Sequence, residues 1–571
     1  MKLRVIIISL TSVVYLTSCH DLNLNPLSKG STETWYSNVN EIKMSVDELY
    51  RMDFWNKDIS EYSGEYGSDD WCYRETLSDF EKATLNGQNG IVQNLWNFQY
   101  KDIARANSVI QKADRAIKNG ASESVIANYV AEARFHRACA YSKLLFRFGD
   151  VPLIENDLSI EEGMKKGRTE KTKVLKFIYD EFDAAASVLP EKYNMEQRAT
   201  KGAALAMKAR IATFMGDWNT AAEAAKAVID LNIYKLHPSY SDLFLQNTKQ
   251  SDEFIFLIPR SLDYSGYYIG ENQVRGELIR NAGGWASTDP SWDLFASYVC
   301  TDGLPIDESP LFDSHDPFKN RDPRLSMTIV PFGSEFLGYE YSPHPDDVMI
   351  MNYKTGKEVK NNDNRANAQF ASYNGLVWKK GIDDSWLENG NKIAPNLIVI
   401  RYADVLLMYA EAKIELNQID QSALDAMNAV RARAYGVDKS ETDKYPEFTN
   451  VGQEKLRVQL RTERRMEFAK EAMRYSDLVR WKLSEIVMKR KSYGMLYPTS
   501  LLVEQVTSKG DWFWPFAPDI DENGLPDFTK LESAGKISVL AERRWDNRQY
   551  LWPIPTNEIL INENMKQNPG Y

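Results

Sequence analysis

Three glutamates spaced four apart, Glu463, Glu467 and Glu471, are the carboxylates whose pattern could do chemistry. On a helix they share one face, and paired carboxyl groups can act as acid and nucleophile in cleaving a glycosidic bond. Their neighbours decide against it. Arg464, Arg465, Arg474 and Arg480 crowd the same run, Arg461 to Trp481. Adjacent guanidinium groups keep carboxyls ionised, whereas a general acid must retain its proton. Ion pairs within and between helices are the expected use of these charges. Asp404 near Arg401, and Asp322 between Arg321 and Arg324, read as fold-fixing pairs in the same way. The five histidines, His20, His136, His237, His315 and His344, have no metal-ligand spacing. His315-Asp316 lacks the Gly-x-Ser-x-Gly elbow of a hydrolase triad. Asp69-Asp70, Asp346-Asp347 and Asp383-Asp384 offer oxygen ligands without an EF-hand pattern, so a calcium ion would be structural and no cofactor is expected. No glycine-rich phosphate loop is present.

The aromatic residues point elsewhere. The chain carries 14 Trp, 30 Tyr and 23 Phe, and flat side chains with few rotatable bonds suit a binding surface. Recognition of a sugar ring asks for such faces beside Asn, Asp, Gln or Arg, which hydrogen-bond the hydroxyls. Two stretches supply both. One is Tyr66-Gly67-Ser68-Asp69-Asp70-Trp71-Cys72-Tyr73. The other joins Tyr264-Ser265-Gly266-Tyr267-Tyr268 and Asn272 to Asn281-Ala282-Gly283-Gly284-Trp285. The candidate contacts are therefore Asp70, Trp71, Tyr73, Tyr267, Tyr268, Asn272 and Trp285, with Trp292, Asn364, Arg365, Tyr373 and Trp386 behind them. Trp96, Trp218 and Trp481 sit in helical patterns and are assigned to packing.

The elements that must position these loops are helical. Ile400 to Leu416, IRYADVLLMYAEAKIEL, puts Arg401, Asp404, Glu411 and Glu415 on one narrow stripe of a helix that is otherwise apolar or small. Such a helix packs on several sides at once. A turn and a second small-residue helix, Ala423 to Ala434, follow. The pair recurs at a constant offset of 201: Leu205 aligns with Leu406, Ala209 with Ala410, Gly216 with Asn417 and Ala225 with Ala426. This spacing resembles a tetratricopeptide hairpin, whose small residues let two helices approach closely. Further helices are expected at about 171–188, 200–215 and 218–230. Residues from about 235 to 395 differ in kind, being rich in Pro, Gly, Asn, Asp and aromatics, with short strands such as Phe254–Ile258; a segment this long without periodic helix is functional or disordered, and its aromatics argue for function. The fold class is mainly α: helical repeats over about 33–233 and 398–571, interrupted by a loop-rich insert, all within a single domain spanning 19–571.

The segment 1–18 reads as a secretory signal: Lys2 and Arg4, an apolar run from Val5 to Leu16, then Leu16-Thr17-Ser18-Cys19. The run is too short to span a bilayer. The small residues before Cys19 resemble a bacterial lipobox, which would make Cys19 the acylated first residue and attach the protein to a membrane by lipid. Cys72, Cys139 and Cys300 would remain, an odd number, so at least one thiol is free; Cys139 lies in a helical pattern and reads as core. Net charge is −12, and losing Lys2 and Arg4 takes it to −14. Such a surface repels a nucleic-acid backbone. It also weighs against a heavily sulfated or uronic ligand, unless arginines gather locally at the site.

Several segments in order along nearly the whole chain resemble the SusD/RagB family of outer-membrane glycan-binding lipoproteins. They are the lipobox at Cys19; Leu95-Trp96 with Tyr100, Ile103 and Ala106-Asn107; and Arg137-Ala138 through Phe148-Gly149-Asp150-Val151-Pro152-Leu153. Next come Asn320-Arg321-Asp322-Pro323-Arg324, Ile400-Arg401-Tyr402-Ala403-Asp404, and Asn428 with Arg431 and Arg433. Glu463-Arg464-Arg465 with Glu467, Arg474-Tyr475, Asp477-Leu478, Pro553-Ile554-Pro555 and Gln567-Asn568-Pro569-Gly570-Tyr571 complete the set. The resemblance implies four tetratricopeptide-like helix pairs, lipid anchoring on the outer membrane facing the exterior, and partnership with a SusC-like TonB-dependent transporter. The protein would capture oligosaccharides for import without catalysis. A peptide-binding member of the family, or a surface glycoside hydrolase, is the alternative. The family's binding loops vary, so no individual contact residue carries over.

Overall fold

The computed structural model describes residues 34–55, 67–193 and 197–571. Its scaffold is a succession of helices: Gly90–Lys112, Glu123–Phe148, Lys171–Val188, Lys201–Met215, Trp218–Asp230, Tyr402–Glu415, Gln421–Ala434 and Gln453–Phe468. Each packs on the next in this order, so Trp218–Asp230 meets Tyr402–Glu415 although the whole insert separates them in the chain. The two hairpins aligned at offset 201 therefore stack directly. Their turns agree in detail. Gly216 and Asn417 both adopt left-handed backbone, with φ of 73° and 54°, the conformation that Gly adopts freely and Asn tolerates. Asp217 and Asp420 then cap the second helices, accepting amides of Thr220 and of Ser422 and Ala423. Ala209, Ala225 and Ala410 are fully buried where the helices meet, and a larger side chain would force them apart.

The insert is tied off at its base. Phe254–Ile258 pairs antiparallel with Leu397–Arg401, so the chain between them leaves and returns at one point of the scaffold. Within it Ser334–Phe336, Tyr339–Tyr341, Met349–Asn352 and Lys357–Lys360 form a four-stranded antiparallel sheet. A second core, distinct from that of the helices, fills this layer around Trp292, Phe295, Phe513, Trp514 and Phe528. Residues 491–537, which sequence pattern groups with the C-terminal helical block, contribute to this insert core instead. The aromatic stretch Trp512-Phe513-Trp514 pulls them there, because those rings bury most area against Trp292 and Phe295.

The helix Gln453–Phe468 and its extension to Arg480 bolt the two layers together through buried ion pairs. Glu463 accepts from Arg324 and Arg431, and Glu467 from Arg324, Arg401 and Arg433. Glu471 takes Arg401 and Lys380. On the other side Arg464 bridges Asp404 and Asp477, while Arg480 holds Glu411. The expected pairing of Asp404 with Arg401 is replaced: Asp404 turns to Arg210 and Arg464, and Arg401 to the glutamates. Arg321 likewise serves backbone carbonyls of Phe295, Pro317 and Tyr298, leaving Asp322 to Arg324. Cys72, Cys139 and Cys300 are free and buried. Among the described residues no helix is long and apolar enough to cross a membrane.

Removing one member of such a buried set strands its partners. Glu467→Gln should cost about 3–5 kcal/mol in denaturant unfolding; a loss below about 1 kcal/mol would contradict this role. Acid should act in the same direction: Arg210 and Arg464 overcome burial to hold Asp404 down at about 2. Its stabilisation is complete above the ordinary aspartate range and is lost as pH falls through about 2. Asp404→Asn should therefore flatten the stability profile between about pH 4 and pH 2.

Candidate functional site

Two of the expected loops meet because of a pair of very short strands. Trp71–Cys72 pairs antiparallel with Asp289–Pro290, which sets the start of the insert's aromatic loop beside the first loop. The residues just before, Asp69 and Asp70, are buried and gripped from the helical layer. Arg465 bonds both, and Arg474 holds Asp69 from a second helix. Asp70 is thus an anchor, not the ligand contact that its place in an acidic-aromatic loop suggested. These carboxylates are likewise committed away from any metal, and among the described residues no group of three or more metal-ligating side chains gathers.

Beyond the anchor the chain emerges. Tyr73 is exposed, and Arg74 adopts left-handed backbone with φ of 49°. Such a conformation is uncommon for a long side chain and persists where surroundings enforce it. Arg74 sends Nη2 to the carbonyl oxygens of Trp285 and Phe370, at 3.2 and 3.3 Å. Arg280 sends Nη1 to the same two oxygens, at 3.2 and 3.3 Å. Three distant segments, around 73, 280–285 and 370, are thereby pinned into one surface. Exposed Tyr73 and Phe370 and half-buried Trp285 lie on it. Arg74 also stacks over the Phe370 ring and Arg275 over Trp285.

The loop 281–285 keeps its shape for local reasons. The Trp285 amide bonds the Arg275 carbonyl and that of Ala286 bonds Leu278. A Cβ on Gly284 would lie 2.0 Å from the Leu278 carbonyl oxygen, so only glycine allows this return. Asp363 staples the loop's other end, accepting the amides of Arg280 and Asn281 at 2.6 and 3.0 Å. Farther along the same surface Arg365 lies between the rings of Tyr373 and exposed Tyr497, at 3.9 and 4.1 Å from their centroids.

The other candidates fall elsewhere. Trp71 and Trp292 are buried in the insert core, and the Trp292 indole donates to Asn374 O. Both were expected as ligand contacts from loops rich in aromatic and polar residues; each instead faces inward from a paired or capped segment. Asn364, likewise buried, spends its amide on the carbonyls of His344 and Asp347. Trp386 is buried too and lines a half-open cavity of about 290 Å³ between the layers, with Phe54, Phe146 and Phe244. Two of its charged groups are already used, Arg210 by Asp404 and Lys380 by Glu471, whereas Gln99 Oε1 and Arg147 Nη1 are buried without a hydrogen-bond partner. Tyr267 packs against the helical core and Tyr268 lies beside Lys392. Asn272 is exposed, at the start of the Glu271–Glu277 helix that carries Arg275. Cys19 and Tyr66 are outside the described residues. Of the expected set, Tyr73, Trp285 and Arg365 share the surface, and buried Tyr373 supports Arg365 from below. Arg74, Arg275, Arg280, Phe370 and Tyr497 join them without having been singled out in the sequence; the only signal they gave was the pairing of Arg with an aromatic a few residues away.

Comparison with known proteins agrees with this architecture. Residues 253–571 match the family model described as the SusD family, and residues 25–212 match another described as starch-binding associating with outer membrane. The chain belongs to the SusD family. A SusD-like protein of Formosa agariphila is 25% identical over an alignment of 602 positions, spanning 100% of this chain and 99% of that protein. A SusD-like protein of Bacteroides ovatus is 23% identical, over 84% of this chain and 83% of its own length. Among solved structures, a SusD-like carbohydrate-binding protein from Bacteroides fragilis superposes with a TM-score of 0.75 at 29% identity, covering 93% of this chain and 99% of that one. A laminarin-binding SusD-like protein shares the fold, with a TM-score of 0.59 at 21% identity over 94% of this chain and all of that one.

Beneath the surface, burial lifts the carboxyl of Asp289 to about 8, and its Oδ1 has no hydrogen-bond partner. Between the ordinary aspartate range and about 8 the folded protein holds a proton that the unfolded chain has released. Stability therefore falls as pH rises through that window. The difference in melting temperature between Asp289→Asn and the parent should move in favour of the variant from about pH 5 to about pH 9; a constant difference would mean Asp289 is ionised and paired throughout.

Proposed function

We propose that this chain is a non-catalytic, cell-surface glycan-binding lipoprotein that captures oligosaccharides and passes them to a SusC-like TonB-dependent transporter. Cys19 would carry the lipid that holds it to the outer membrane, facing the exterior. The observation that carries the reading is the surface on which Tyr73, Trp285 and Phe370 are fixed by Arg74 and Arg280. Flat rings displayed on a rigid frame stack on sugar rings with little loss of side-chain freedom. Guanidinium donors beside them, Arg74 and Arg280, match ring hydroxyls. The carbohydrate-binding relative from Bacteroides fragilis, similar over nearly its whole length, supports the same reading.

The placement of the carboxyls supports binding without cleavage. Cleavage needs two of them flanking one glycosidic bond. Asp289 and Asp363 lie buried under the surface, and Glu463, Glu467 and Glu471 are consumed by arginines in the helical layer.

In a calorimetric screen, Tyr73→Ala and Phe370→Ala should each weaken the best oligosaccharide ligand by about tenfold, the loss of one stacked ring. Far-UV circular dichroism should stay unchanged, because both side chains are exposed. Unaltered affinity in both variants would overturn the site assignment. Incubation with the bound glycan should release no new reducing ends, and reproducible turnover would overturn the non-catalytic reading.

A further inference from the structure

Arginine in this protein is usually matched to carboxylate. Arg324, Arg401, Arg431, Arg433, Arg464 and Arg474 each have one or more acidic partners at 3.1 Å or less. The binding surface breaks that habit. Among the described residues no carboxylate oxygen lies within ion-pair distance of Arg74, Arg280 or Arg365. Arg74 and Arg280 instead share two carbonyl oxygens, those of Trp285 and Phe370, so two like charges are held side by side. Arg365 is held by the faces of Tyr373 and Tyr497. In all three the Nε–H is buried without a hydrogen-bond partner. Burial draws the Arg280 guanidinium below its ordinary range, only partly opposed by Asp363, and Arg74 adds to the lowering.

The acids nearby do not neutralise the set. Asp363 spends its oxygens on the backbone amides of Arg280 and Asn281. Asp289 is buried, and burial keeps it protonated up to about 8. Glu75, next to Arg74 in the chain and acting on Arg365, is exposed. Two left-handed non-glycine residues, Arg74 and Ala286, frame the guanidinium pair, with φ of 49° and 42°. Holding like charges together in a strained frame costs stability, a cost that persists where it serves a ligand. The overall negative charge of the chain does not oppose this, because charges farther away than about 8 Å are screened at physiological salt.

We infer that the glycan bound at this surface is acidic, its uronate carboxylates or sulfate esters received by Arg74, Arg280 and Arg365 while its ring faces stack on Tyr73, Trp285 and Phe370. The inference rests on the glycan-binding reading above and names the ligand's class. Planar guanidinium forks pair with carboxylate or sulfate oxygens in two parallel hydrogen bonds, stronger than those to neutral hydroxyls.

The test is isothermal calorimetry on the folded, lipid-free chain with three probes: oligogalacturonate, a chondroitin sulfate oligosaccharide and a neutral laminarin oligosaccharide. At least one acidic probe should bind about tenfold or more tighter than the neutral one, the uronate and sulfate arms separating the two sources of charge. Its affinity should fall between about 50 and 500 mM NaCl, while that of the neutral probe should not. Arg280→Gln and Arg365→Gln should each remove most of the acidic preference, and Arg74→Lys should retain part of it. Arg365 makes no hydrogen bond to the described protein, so its variant keeps the test valid if Arg280→Gln fails to fold. If the neutral probe binds as well as both acidic ones, with Tyr73→Ala weakening it and the arginine variants not, the acidic-ligand inference is overturned and glycan binding stands. If no probe binds, both fall.

Discussion

The structure depends on one helix, Gln453–Phe468, and on the buried ion pairs it distributes. Charges on its successive faces each reach a different module. Glu463 and Glu467 reach the arginines of the insert and of the neighbouring hairpins, Arg464 reaches Asp404, and Arg465 reaches the Asp69–Asp70 loop. Buried pairs of this kind add little net stability over a hydrophobic core of the same shape, because desolvation offsets their attraction. What they impose is geometry. An unpaired carboxylate or guanidinium in this interior would cost several kcal/mol, so the insert can dock on the helices in one register only.

That register also sets the surface proposed to bind ligand. Arg465 and Arg474 fix Asp69 and Asp70, the strand Trp71–Cys72 pairs with Asp289–Pro290, and only then does the chain release Tyr73 and Arg74 to the outside. The aromatic residues at the surface are few; most of the rings in this layer, from Trp292 to Trp514, are used to fill the second core beneath them. The division is sensible. A stacking face holds its orientation when the loop bearing it rests on a packed base, and oligosaccharide ligands gain affinity from faces that need no reordering on binding. Charge is handled differently in the two places: Arg324, Arg401 and Arg464 inside are matched to carboxylates, whereas Arg74 and Arg280 at the surface share backbone carbonyls.

The helical scaffold was legible because its signals are local. The hairpin spacing, the Gly216 and Asn417 turns and the capping aspartates lie within a few residues of one another, and they predict helices that the structure shows nearly to the residue. The charged run was legible in kind, as ion pairs, but not in partners, since Asp404 chooses Arg210, on a helix of the other hairpin, over nearby Arg401. The site was half legible. Tyr73 and Trp285 could be picked out as loop aromatics. Asp70, Trp71, Trp292 and Trp386 have the same composition around them and yet face inward, because burial there is set by strand pairing and packing between segments far apart in the chain. Arg74, Arg280 and Phe370 gave no sequence signal as a group. Their kinship is two shared carbonyl oxygens, a relation that exists only once three loops have folded together.

The central claim, that ligand meets the protein on the Tyr73–Trp285–Phe370 surface held by the ion-paired helix, is tested most directly by a crystal structure of the protein soaked with its tightest-binding oligosaccharide. Sugar rings should lie in van der Waals contact, about 4 Å, with Tyr73 and Phe370, and polar groups of the ligand should sit on Arg74 and Arg280. Ordered sugar in the cavity beside Trp386, or on the outer face of the helical layer, with this surface empty, would contradict it.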